Sequence, residues 1–337
     1  MSNSTANTTA ATTRLIAPEP APVWSKARLQ WGAAWELHWI GLGIAFALIA
    51  VHSLAALLMA DKSKAFARRP LFFAVNFLLV IMGTVRAIFL WMDPYESTEN
   101  GLQVNAWVNR VLFGIAFPCL TSAFCLIHVV FLEVSKIKLG SKKLHSIPFV
   151  SSIIVLHFII VPVTDITVAL DTDKVELLIV CQSFFIIWGF ANSFAFLYSG
   201  GRVIHSSRRI RLRLSQISRQ DSSNNGRARR GATTKVAKIT MITAILGFAC
   251  CALQIYSIAG LYGFYTTTIE HPEPWPWYAF QTGFRLVELA MGCTLAYTVI
   301  QPSQSDKTVL FKNCCKRMSK PESEIVEIGC VNITVTS

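Results

Sequence analysis

Residues 38–60 read HWIGLGIAFALIAVHSLAALLMA, with no Asp, Glu, Lys or Arg among them. A helix rises 1.5 Å per residue, so about 20 apolar residues cross the hydrocarbon of a bilayer. Asp61-Lys62-Ser63-Lys64 then closes the run with groups that hydrocarbon excludes. The stretch therefore reads as a transmembrane helix.

Working outward from it, six more apolar runs follow at 71–92, 107–132, 147–166, 177–200, 236–263 and 276–300. The chain is 53% hydrophobic and 15% charged, against about 25% charged in soluble domains. The fold class expected is all-α: a seven-transmembrane helical bundle with receptor-like topology. Residues 1–37 form a Ser-, Thr-, Ala- and Pro-rich extracellular tail, expected to be disordered. Residues 38–300 form the bundle and 301–337 a cytosolic tail. The tail shows no apolar signal-peptide core, so the first helix is expected to act as an uncleaved anchor.

Positive charge sets the orientation. Segments 61–70, 133–146, 201–235 with Lys238, and 301–337 hold 24 of the 31 Lys and Arg residues. Cytosolic loops retain such charge, which puts the N-terminus outside and the C-terminus in the cytosol. The same rule accounts for the net charge of +12, so a nucleic-acid partner is excluded and the bilayer is the partner. Asn3 and Asn7 begin Asn-x-Thr acceptors on the outer side and are the expected glycosylation sites. The nine cysteines all avoid the outer loops, so no extracellular disulfide is expected. The plasma membrane is the expected location.

The inner segments suggest attachments. Arg202 to Ser218 reads as a continuation of the fifth helix into the cytosol. Asp221 to Arg230 reads as a flexible turn around Asn224-Asn225-Gly226. The run Arg208, Arg209, Arg211 and Arg213 would attract anionic lipid at about 1 kcal/mol per residue. Ser215, Ser218 and Ser222 lie beside it, where phosphate would weaken that attraction. Cys314 and Cys315, among Lys312, Lys316 and Arg317, suit S-palmitoylation next to the last helix.

Within the apolar runs, three charges stand out. Arg285 and Glu288 are three apart on the last helix and share a face. They lie about 14 and 18 Å below its outer end by helical rise. A charge that deep costs at least about 2.5 kcal/mol and turns toward the bundle interior with a partner. Arg86 on the second helix lies about 9 Å deep. Two readings follow, a structural ion pair locking helices two and seven or a polar switch that contacts a ligand, and the structural one comes first. One carboxylate does not neutralise two guanidinium groups, so Glu288 is expected to pair with one arginine. Trp275, Trp277 and Tyr278 read as a headgroup-level anchor, and His38 as an interfacial residue.

Catalytic patterns are missing from the sequence. The seven histidines lack metal-ligand spacing, and no Ser-His-Asp set, phosphate-cradling glycine loop or nucleophile elbow is present. No enzyme activity and no cofactor are expected.

Four blocks resemble the membrane domain of the proline-rich transmembrane protein 3 and 4 family. They are 31–38 (WGAAWELH), the passage from Arg68-Arg69-Pro70 through Asn76 and Arg86 to Asp93-Pro94-Tyr95, 117–124 (FPCLTSAF) and 284–291 (FRLVELAM). The resemblance covers 31–300 in order and implies a seven-helix membrane fold, without a ligand or a reaction. The chain departs from that pattern in lacking a long proline-rich outer region. The topology is also similar to that of G-protein-coupled receptors, but the short motifs of the rhodopsin-like class are absent at Leu132-Glu133-Val134-Ser135 and at Tyr297 to Pro302. The functional expectation is a receptor-like signalling or adaptor role through loop 201–235 and the tail, with a cytosolic signalling protein as partner. The alternative is a transporter or channel with a polar path near helices two and seven.

Overall fold

The computed structural model describes residues 20–59, 69–97, 105–135, 147–171, 174, 176–217, 224–263 and 271–318. Among them the regular structure is entirely helical. The elements are α1 (Trp24–Trp31), α2 (Ala33–Glu36), α3 (Leu42–Leu58), α4 (Arg69–Met92), α5 (Ala106–Gly114), α6 (Ala116–Ser135), α7 (Ile147–Leu170), α8 (Leu177–Ile217), α9 (Asn224–Tyr256) and α10 (Pro274–Met318). One π-helical turn, Leu37–Gly41, joins α2 to α3, and another, Ser257–Leu261, ends α9.

Six stretches among the described residues are long and apolar enough to cross a membrane: Ala33–Leu58, Pro70–Glu96, Trp107–Val129, Pro148–Leu170, Leu177–His205 and Ala237–Leu261. They coincide with the first six runs read from the sequence. The run 276–300 lies in α10, where Arg285 and Glu288 interrupt the apolar face, and it stands apart from the six.

The helices pack in chain order around a ring. Helix α3 lies on α4, α4 on α5 and α6, α5 on α7, α7 on α8, α8 on α9 and α9 on α10, and α10 closes the ring on α3. The stretch Trp107–Val129 is 67% buried, against 33% for Ala33–Leu58, so it is the central helix. It reaches α8 and α10 as well as its ring neighbours. Outer faces carry exposed apolar side chains such as Leu48, Val51, Ile187, Phe194 and Ile245. In water such a surface would aggregate, whereas lipid accepts it.

Small residues bring the backbones together. A Cβ on Gly83 of α4 would lie 2.6 Å from the Phe46 carbonyl oxygen of α3, so only glycine fits that crossing. The central helix breaks at Gly114–Ile115, four residues before Pro118. Proline lacks an N–H, and its ring presses on the carbonyl of residue i−4, which here is Gly114. The break leaves carbonyls at this turn available to other donors.

Two expectations need correction. The N-terminal stretch is ordered well before residue 38, because α1 and α2 dock on the bundle through Trp24, Trp31 and Trp35. Trp31 stacks on Trp277 at 5.7 Å, and Trp24 meets Trp277 edge-on at 5.3 Å. The tail's average composition masked these three anchors, each of which supplies large apolar area. The turn expected at 221–230 is helix from Asn224 onward. Arg227, Ala228, Arg229 and Arg230 are strong helix formers that outweigh the cost of about 1 kcal/mol at Gly226. Helix α8, as expected, continues past the apolar core to Ile217, and α10 continues past residue 300 to Met318.

Candidate functional site

The three charges singled out in the sequence meet inside the bundle, and each is 0% exposed. Arg86 of α4 donates from Nε to both oxygens of Glu288, at 2.9 and 3.0 Å, and its Nη2 lies 2.9 Å from Oε1. Arg285 donates from Nη1 to Oε2 of the same carboxylate. The expectation that Glu288 takes a single arginine is therefore wrong in geometry: the carboxylate bridges both. Oxygen lone pairs suffice for this, since a carboxylate offers about four acceptor sites. Its single negative charge still leaves one positive charge uncompensated within the triad.

The surplus is met by dipoles and rings of the central helix. Arg86 Nη1 donates to the Phe113 carbonyl at 2.7 Å, at the helix break described above. The Arg86 guanidinium sits 4.9 Å from the Phe117 ring and 5.1 Å from Phe113, and the Arg285 guanidinium sits 4.9 Å from Phe113. Aromatic faces carry negative quadrupole density, so desolvated guanidinium groups are attracted to them.

The network continues toward the tryptophans. Arg285 Nε donates to the Tyr95 hydroxyl at 3.3 Å. That hydroxyl lies 3.1 Å from His38 Nε2, and His38 Nδ1 lies 2.8 Å from the Thr282 hydroxyl. One hydrogen assignment satisfies the row: Tyr95 donates to Nε2, and Nδ1–H donates to Thr282. His38 is buried beneath Trp35, whose ring stacks on it at 5.5 Å. Reading His38 from the sequence did not foresee this burial among protein side chains.

Tyr95 reaches this place through unusual backbone. It has φ 58 and Glu96 has φ 57, both left-handed and neither glycine. Such residues cost on the order of 1–3 kcal/mol each and persist where their surroundings hold them. Tyr95 is held by its two hydroxyl partners and by ring contacts to Trp277 at 5.0 Å and Phe89 at 5.1 Å. Asn109 donates to the Asp93 carbonyl at 3.2 Å, and Arg28 of α1 donates to the Ser97 carbonyl.

A cavity of about 50 Å³ opens beside the triad, between α5, α7, α8, α9 and α10. Arg285 and Gln281 form one wall, Asp165 and His157 another, with the rings of Phe117, Phe185 and Phe284 between. Among the described residues no group of His, Cys, Asp and Glu is arranged to hold a metal ion. No disulfide joins the six cysteines whose side chains are described.

Of the other residues singled out in the sequence, Asn3, Asn7, Ser218 and Ser222 lie outside the described residues. Ser215 falls on α8, and Cys314 and Cys315 on α10, with side chains outside the description. Trp277 is buried in the aromatic cluster, Tyr278 donates to the Ala34 carbonyl at 2.8 Å, and Trp275 alone of that trio is exposed. Sequence reasoning missed Tyr95, Thr282, Asp165 and the cavity. For Tyr95 a signal existed, an aromatic hydroxyl next to Asp93-Pro94 at the end of an apolar run.

Comparison with known proteins places these features in a lineage. A family model described as the proline-rich transmembrane protein 3 domain matches residues 9–321. The chain is 26% identical over 292 residues to proline-rich transmembrane protein 4 of Homo sapiens, and 25% identical over 289 residues to the Mus musculus protein of the same name. Each match covers 83% of this chain and 30% of the relative, so the chain spans less than a third of the length of the curated relatives it matches. No solved structure matches.

Proposed function

We propose a receptor-like signalling role for this chain, which belongs to the proline-rich transmembrane protein 3 domain family and is a multi-pass membrane protein. In this reading the chain crosses the plasma membrane seven times, with α10 as the last crossing. The N-terminus lies outside and the C-terminus in the cytosol, a direction that the distribution of Lys and Arg supports. A small molecule entering the cavity acts on Arg285, and loop 201–235 with the tail reports to a cytosolic protein.

The observation that carries this reading is the position of Arg285. It forms part of the cavity wall and also belongs to the ion triad that joins α4, the central helix and α10. A group shared between a cavity and a helix-joining network biases helix positions when its surroundings change. The cytosolic extension of α8 and the basic start of α9 are the elements such a shift would move, and Arg208, Arg209, Arg211 and Arg213 would hold them near anionic headgroups. Acylation of Cys314 and Cys315 would hold the end of α10 at the same surface.

Proximity labelling in cells tests the role. The full chain should label a defined set of cytosolic proteins, and deletion of 201–235 should remove that set while surface expression persists. An unchanged set after the deletion contradicts the reading.

A further inference from the structure

We infer that the cavity beside the ion triad binds a small zwitterion of the amino-acid class, its carboxylate met by Arg285 and its ammonium by Asp165. This supplies a ligand class to the receptor-like reading and rests on that reading only for the response that follows binding.

Size comes first. A cavity of about 50 Å³, at roughly 10–15 Å³ per water-sized occupant, takes on the order of three to five such groups. That is the scale of glycine and its near homologues.

Charge narrows the class. Arg285 stands over the Phe113 ring, and the Asp165 carboxylate packs onto the next residue of the same helix, Gly114, in space that any Cβ there would occupy. The cavity lining thus has a cationic group on α10 and an anionic group on α7. Arg285 and Asp165 give the cavity lining one charge of each sign. A simple anion or cation would upset that balance in a medium where net charge is costly. A zwitterion leaves it intact and meets an opposite charge at each end.

Polar groups on the wall point the same way. Gln182, Gln254 and Gln281 place three side-chain amides around the space. His157, on the Asp165 wall, uses Nδ1 on the Thr121 hydroxyl at 2.9 Å, and its buried Nε2 has no hydrogen-bond partner among the described residues. Buried polar atoms are normally paired with protein or ordered molecules, so this nitrogen marks a place for a polar occupant.

The test uses the purified full chain in detergent. Saturable binding of radiolabelled glycine, β-alanine and 4-aminobutyrate is measured beside acetate and methylamine, each of which carries only one of the two charges. At least one amino acid should bind and raise the thermal midpoint, with acetate and methylamine at least tenfold weaker. Asp165→Asn should weaken that amino acid more than tenfold and leave acetate unaltered. Should Asp165→Asn fail to fold, Gln281→Leu supplies the second variant, with a like loss expected. Equal binding of acetate or methylamine, no saturable binding of any of the three amino acids, or binding indifferent to the variants overturns the inference. Binding without any change in the cytosolic proteins labelled in cells retains this inference and contradicts the signalling role. Labelling that depends on 201–235, with no amino-acid binding, does the reverse.

Discussion

Glu288 carries the largest energetic consequence at the residue scale, because its carboxylate is shared by two fully buried guanidinium groups. Removing one partner of a buried charge pair costs about 3–5 kcal/mol, since the remaining charge is left uncompensated. Glu288→Gln strands two such charges, so detergent-solubilised protein should lose at least that much stability, read as a lowered thermal midpoint. The doubles Arg285→Gln/Glu288→Gln and Arg86→Gln/Glu288→Gln should each recover only part of the loss, because each leaves one arginine behind. Full recovery by either double would mean that Glu288 serves one arginine alone. Tyr95→Phe offers a second reading at this scale. It removes the oxygen that links Arg285 to His38 and should cost about 1–3 kcal/mol for the polar groups left unpaired. A thermal midpoint indistinguishable from that of the parent chain would remove Tyr95 from the network.

At the scale of elements, apolar runs located six membrane helices to within a few residues, because hydrocarbon demands about 20 apolar residues and little else does. The shared face of Arg285 and Glu288 was legible too, since a spacing of three puts both on one side of a helix, but which arginine pairs with Glu288 was not. A lock between helices two and seven was expected, but the Phe113 carbonyl that Arg86 also meets, five residues before Pro118, was not legible, because it depends on how α4 packs beside α5. His38 and Tyr95 were missed for a related reason. Their burial comes from Trp35 and Trp277, which lie 242 positions apart in the sequence. Local pattern carries no record of such contacts. The crossing of α3 and α4 gives the prediction for this scale. Gly83→Val puts a branched side chain where even a Cβ would lie 2.6 Å from the Phe46 carbonyl, and overpacking of this kind costs typically about 1–3 kcal/mol. Gly283→Val, at a glycine whose Cβ would meet nothing within 4 Å, serves as the control and should cost less. Equal losses at the two glycines would show that helix propensity, not the crossing, sets the effect.

At the scale of the whole molecule, the question is whether a helix with two charges in its middle crosses the membrane as the six cleaner ones do. The triad supplies the physical reason that it can. Arg285 and Glu288 face inward, Glu288 bonds to both Arg285 and Arg86, and Leu286 and Tyr297 are left on the outer face. Charges in a membrane segment are tolerated in that arrangement, paired and turned away from lipid. The N-terminal helices matter at this scale as well, since α1 and α2 cover the end of the bundle where His38 lies. Trp31→Ala should cost about 3–5 kcal/mol, as truncation of a buried tryptophan does, and a loss below 1 kcal/mol would mean that the N-terminal helices only rest on the bundle. The crossing of α10 is tested most directly by the sidedness of the two termini. Epitope tags are placed at residue 1 and residue 337 of the full chain, and antibody access is measured before and after permeabilisation. Seven crossings predict the first tag accessible on intact cells and the second only after permeabilisation. Both tags on the same face would leave α10 outside the count of crossings and contradict the account.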